Sequence, residues 1–258
     1  ETCFAPAFVE RFAEGVEAEV LFEVWRFVNL ESRLRGVNRY RALAQALRLL
    51  PSHPGAGKPR ELWSRTAFAL EAWIVAEASP SRDRLARVAR EGGFLAEVLA
   101  WSEAVDAAIE ALPPPPPFVG ARLALPGLAA AAEILVLTAA PEEAVRGEWR
   151  QAGILGYAAA VAGQERGPKS LSLAERSAGR FAPSRVLVVG DAPGDLEAAR
   201  SCGAAFFPIL PGREEESWAA FAAGGLERAL SGERAPGGEL LAEFLEALPA
   251  EPRWTRRC

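Results

Sequence analysis

Val186-Leu187-Val188-Val189-Gly190-Asp191-Ala192-Pro193-Gly194-Asp195 carries an unbroken apolar run into a turn that holds two aspartates. The run has no polar alternation, which predicts a strand covered on both faces, as in a parallel sheet. Residues 196–202 predict a helix. A parallel strand that feeds a helix through a short loop sets the loop at the carboxyl edge of the sheet, where open α/β folds bind their ligands. Two carboxylates at that edge repel one another unless a metal ion or a basic group compensates them. Oxygen ligands with no neighbouring Cys or His select a hard ion, Mg2+ above all. As part of an ordinary turn, Asp195 would instead serve as a helix N-cap.

Working outward, short apolar runs at 134–137, 158–162, 186–189 and 205–209 alternate with helical patterns at 120–132, 141–153, 169–180 and 196–202. This alternation predicts an α/β fold with a doubly wound, Rossmann-like parallel sheet at its core. Two further helices fit residues 215–230 and 239–248. Toward the start the texture differs: helical patterns fit 6–27, 39–50, 61–77, 82–90 and 95–112, and no strand pattern interrupts them. In the first of these, Phe8, Phe12, Val16, Val20 and Val24 form one i, i+4 stripe. The prolines at 113–117 form a stiff extended linker. The expected division is therefore residues 1–5 as a remnant of the core, 6–112 as an all-α domain inserted into it, 113–117 as the linker and 118–258 as the α/β core.

Composition removes several function classes. The net charge of -5 gives no basic footprint for nucleic acid. The longest apolar stretch, 128–140, is too short for a membrane span and contains Glu133. Cys3, Cys202 and Cys258 lack metal-ligand spacing and point to a reducing, cytoplasmic setting. The sole histidine, His53, lies in a loop, which argues against His-based triads and zinc chemistry. The chain has no methionine, so Glu1 is expected to be an internal position. Of 29 Lys and Arg residues only Lys58 and Lys169 are lysine, which suggests positions that require a compact ammonium rather than a planar guanidinium.

Thr138, Lys169 and Asp191 hold equivalent places, each just after a predicted strand or at the start of the next helix. They should line one sheet edge. A hydroxyl, an ammonium and a carboxylate pair at one edge suit a phosphate: the hydroxyl and backbone N–H groups hold the phosphoryl oxygens, and the cations offset developing charge. Leu137-Thr138, Pro168-Lys169 and Gly190-Asp191-Ala192-Pro193-Gly194-Asp195, in this order and spacing, resemble the second, third and fourth motifs of the haloacid dehalogenase superfamily of phosphohydrolases. The resemblance covers residues 118–210, and the helical block is similar in placement to the all-α cap of many members.

The resemblance implies that Thr138 binds phosphate, that Lys169 stabilises the nucleophile and the transferring group, and that Asp191 and Asp195 hold Mg2+. It implies hydrolysis of a small phosphorylated metabolite through an aspartyl-phosphate. Family members open with Asp-x-Asp-x-Thr, which this chain lacks; its first residues, Glu1-Thr2, match only the end of that motif. The expectation is a chain cut within its first motif and missing its nucleophile. The alternative is a non-catalytic binding or regulatory protein of the same fold. The basic stretch 33–41 supplies candidate substrate contacts in Arg35, Asn38 and Arg39.

Overall fold

The structure is a computed structural model that describes residues 2–77, 79–227 and 237–255. The chain divides into two compact units, Glu1–Pro113 with Pro249–Cys258, and Pro114–Leu248.

The first unit is helical throughout its described residues, with α1 (Phe4–Phe12), α2 (Ala18–Leu30), α3 (Arg39–Leu49), α4 (Glu61–Ala76), α5 (Arg82–Ala86) and α6 (Phe94–Glu110). The apolar stripe expected to run through one helix is split between α1 and α2. The break falls where Glu14 and Gly15 take φ of 47° and 83°, a left-handed conformation that a helix of L-residues cannot continue through. The apolar faces meet in one core. Trp25 lies 5.1 Å from Phe8 and 5.7 Å from Trp101 between ring centroids, within the range of favourable tilted aromatic pairs. The buried Trp63 indole N–H donates to the Phe12 carbonyl at 2.7 Å, tying α4 to the end of α1. Trp254, from the stretch that follows Leu248, meets Phe27 edge-on at 5.6 Å and donates to Ser52 Oγ at 3.2 Å.

The second unit alternates helix and strand: α7 (Val119–Ala131), β1 (Leu135–Leu137), α8 (Glu142–Gln151), β2 (Ala160–Ala162), α9 (Lys169–Ser177), β3 (Leu187–Gly190), α10 (Pro193–Ser201), β4 (Ala205–Pro208), α11 (Glu214–Ala220) and α12 (Gly237–Ala247). The helix expected over 215–230 ends as α11 at Ala220 and continues into a π-type turn, Phe221–Gly225; residues 228–230 lie outside the described residues. β1 pairs with β2 and β3 with β4, both in parallel, with Leu135 opposite Ala160 and Leu187 opposite Ala205.

These are two separate two-stranded sheets, and they overturn the expected doubly wound sheet with an inserted cap: the protein is mostly helix, with two short parallel ribbons. The physical reason lies in pairing. In a doubly wound sheet the inner strands bond along both edges, whereas β1 and β3 bond along one only, and the strands are three or four residues long. Every residue of β1 and β3 is only half-buried, while Val161 and Phe207 on the partner strands are fully covered. One core cluster joins Phe207, Ile209 and Phe221 to Leu187, Val189, Leu128 and Trp218, and a second gathers Leu196, Leu210, Phe244 and Leu248.

Candidate functional site

β3 ends at Gly190, and α10 starts at Pro193, three residues earlier than the sequence pattern places it. Proline suits this first helical position because it has no N–H to leave unpaired. Asp195 therefore sits inside the first turn rather than at the N-cap. Its Oδ2 accepts the Ala192 N–H at 3.1 Å, and its own N–H donates to the Ala192 carbonyl at 2.9 Å. This is the backward-reaching half of a capping box. Gly190 makes the fit possible, since a Cβ there would lie 2.5 Å from Asp195 Cγ.

Lys169 opens α9, and its Nζ donates to Asp195 Oδ1 at 2.7 Å. The two side chains are 20% and 10% exposed. Both oxygens of this covered carboxylate are engaged, Oδ1 by the Lys169 ammonium and Oδ2 by the Ala192 N–H. The compensating group in the free protein is thus the ammonium, one of the two options that the sequence leaves open.

Thr138 follows β1 directly. Its N–H donates to the Ala162 carbonyl at 3.0 Å, extending the β1–β2 pairing, and its Oγ1 accepts the Ala140 N–H at 3.0 Å. Since the oxygen is used as an acceptor, the hydroxyl proton remains for an outside acceptor. The Thr138 backbone N–H is not available to a phosphate. The loops after β1 and β2 are tied together by the Gln164 N–H, which donates to the Ala140 carbonyl at 2.9 Å. Of the four expected residues, Lys169 and Asp195 are in direct contact, while the hydrogen bonds of Thr138 described above run to Ala162 and Ala140.

Asp191 and Asp195 offer hard oxygen donors of the kind Mg2+ takes, and Mg2+ is commonly held by one or two carboxylates completed by water and phosphate oxygens. Among the described residues no group of three or more His, Cys, Asp and Glu comes together. The donor set fits such an ion in kind, with Lys169 already resting on one of its two carboxylates.

Arg35, Asn38 and Arg39 belong to the first unit, and each holds that unit together. Arg35 donates to the Leu30 carbonyl at 3.3 Å. Asn38 caps α3 by accepting the Tyr40 N–H at 3.0 Å, and it donates to the Pro80 carbonyl at 3.2 Å. Arg39 pairs with Asp106 at 2.6 Å and lies over the Phe4 ring at 5.2 Å, while Arg82 takes the other Asp106 oxygen at 3.2 Å. Beside them the buried Tyr40 hydroxyl meets Ser102 Oγ at 3.0 Å, and burial raises its pKa above the ordinary tyrosine value. Sequence reasoning missed the roles of Gly190 and the Ala192 N–H; the only signal was a glycine placed just before the first aspartate. No helix among the described residues is long and apolar enough to cross a membrane. No family model, curated protein or solved structure matches the chain.

Proposed function

We propose that the chain carries the phosphate- and cation-binding part of a Mg2+-dependent phosphohydrolase that acts on a small phosphorylated metabolite through an aspartyl-phosphate. The observation that carries this reading is the 2.7 Å pair between Lys169 and Asp195, which joins the third and fourth motifs of the haloacid dehalogenase resemblance. In this reading the Thr138 hydroxyl donates to a phosphoryl oxygen. Lys169 neutralises charge on the attacking carboxylate and on the transferring group. Asp191 and Asp195 hold Mg2+, which supplies the positive charge that offsets repulsion between the phosphate and an anionic nucleophile.

The attacking carboxylate is none of the chain's aspartates in its motif, since Asp83, Asp106, Asp191 and Asp195 include no Asp-x-Asp pair. The test is to assay the protein with p-nitrophenyl phosphate against Mg2+ concentration. Metal-dependent hydrolysis is expected, and Lys169→Arg should lower turnover about 100-fold, because a planar guanidinium cannot sit between carboxylate and phosphate as an ammonium does. No hydrolysis at any Mg2+ concentration, or full activity in EDTA, overturns the reading. A second reading, a non-catalytic binding protein, is favoured by the pairing of Asp195 with Lys169; it predicts phosphate binding without turnover.

A further inference from the structure

We propose that the proline run 113–117, together with the apolar cavity beside its end, is a docking surface for a protein that holds polyproline helices in an aromatic-lined groove. Docking there is independent of the proposed hydrolysis.

Consecutive prolines fill positions 113–117, between the end of α6 at Glu110 and the start of α7 at Val119. Each proline fixes its own φ and pushes the residue before it out of the helical region, which holds the run in the extended, left-handed polyproline form. That form turns once in about three residues, and exposure follows the same period: Pro114 and Pro117 are half-buried, whereas Pro113, Pro115 and Pro116 are exposed. Pro113 and Pro116 therefore share an outward face. Prolines have no N–H, and among the described residues none donates a hydrogen bond to a carbonyl of this run. Rigid ring faces beside open carbonyls are what an aromatic-lined groove recognises, and a run ordered before binding loses little entropy on docking.

Stiffness alone requires only the prolines. Here the run is bracketed by large apolar side chains left in water: Leu112 and Phe118 are exposed, Val119 is 64% exposed and Leu123 76%. Pro116, Pro117, Val119, Leu123, Ile154 and Tyr157 surround an open cavity of about 470 Å3, within the size range of ligand pockets. Ridge and cavity share Pro116 and Pro117 and form one apolar patch, of the kind that marks a protein interaction site. Shape sets the occupant: the proline ridge enters a groove between aromatic rings, and the cavity takes an apolar side chain from that groove's rim.

The test sets the full chain against a fluorescently labelled WW domain selective for uninterrupted proline runs, with binding read by anisotropy. The chain should bind, and a peptide of residues 110–119 should compete for the probe. Pro113→Ala with Pro116→Ala should weaken binding at least about fivefold, and Pro114→Ala with Pro117→Ala by less than about twofold, although each pair removes two prolines. Leu123→Ser, on the cavity rim, should also weaken binding at least about fivefold. Circular dichroism checks that each variant keeps the helix content of the parent.

Absence of binding by the full chain overturns the proposal. Equal weakening by the two proline pairs overturns it as well, since the run would then act through its stiffness and not through an outward face. Unchanged binding in Leu123→Ser overturns the cavity's part in the surface.

Discussion

Gly190 shows how much one missing methyl group can decide. The residue lets β3 run directly past the Asp195 carboxylate, and a Cβ would meet Asp195 Cγ at 2.5 Å. Gly190→Ala should therefore lower stability by about 1–3 kcal/mol, the range for overpacking a filled site, as read from urea unfolding. It should also loosen the Lys169 to Asp195 pair. Unchanged stability would mean that the turn relaxes without strain. A second test concerns Tyr40, which is 2% exposed. Burial raises its pKa above 10.0, against a smaller lowering by its hydrogen bond to Ser102. The folded state thus keeps the proton that the unfolded chain releases. The corresponding stability is fully present below pH 10 and is lost as pH rises from the unfolded value through the folded one. Urea midpoints between pH 9 and 11 should fall more steeply for the parent than for Tyr40→Phe, and parallel profiles would refute this.

At the scale of elements, helix breaks and strand edges matter more than helix propensity. The i, i+4 stripe from Phe8 to Val24 is continuous in sequence, yet α1 and α2 part at Glu14 and Gly15, whose φ values are 47° and 83°. Substitutions at the two positions should have opposite signs. Gly15→Ala should cost about 1–2 kcal/mol, because a Cβ is disfavoured in the left-handed region, and Glu14→Gly should gain up to about 1 kcal/mol by removing that penalty. Thermal melts of the pair check this, and equal effects would show that the break is set elsewhere. The strands make the complementary point. All-apolar β1 and β3 read as inner strands, but each is paired on one edge and half-buried.

For the whole molecule, the separate cores predict separate unfolding. The first unit is built on Trp63, Trp101, Phe8 and Leu43, and the second on the clusters around Phe207 and Phe244. Trp63→Ala should destabilise the first unit and Phe207→Ala the second, each by about 3–5 kcal/mol. Scanning calorimetry should show the two variants lowering different transitions. A single transition lowered alike by both would mean that the units unfold as one.

The sequence by itself determined where helices form and which residues are apolar enough to be covered, because a 3.6-residue period and an unbroken apolar run are local properties of the chain. The helices α3, α4 and α6 and the four short strands lie within a few residues of where the pattern puts them. It also singled out Lys169 and Asp195, which the fold brings together as an ion pair. Only the tertiary structure decided which strands pair, since pairing joins residues far apart and an apolar run fits an inner strand and an open-edged one equally well. The same holds for the charges: that Lys169 neutralises Asp195, and that Arg39 pairs with Asp106, depends on distances across the fold. Charge compensation is a matter of separation in space, and residue order does not encode it.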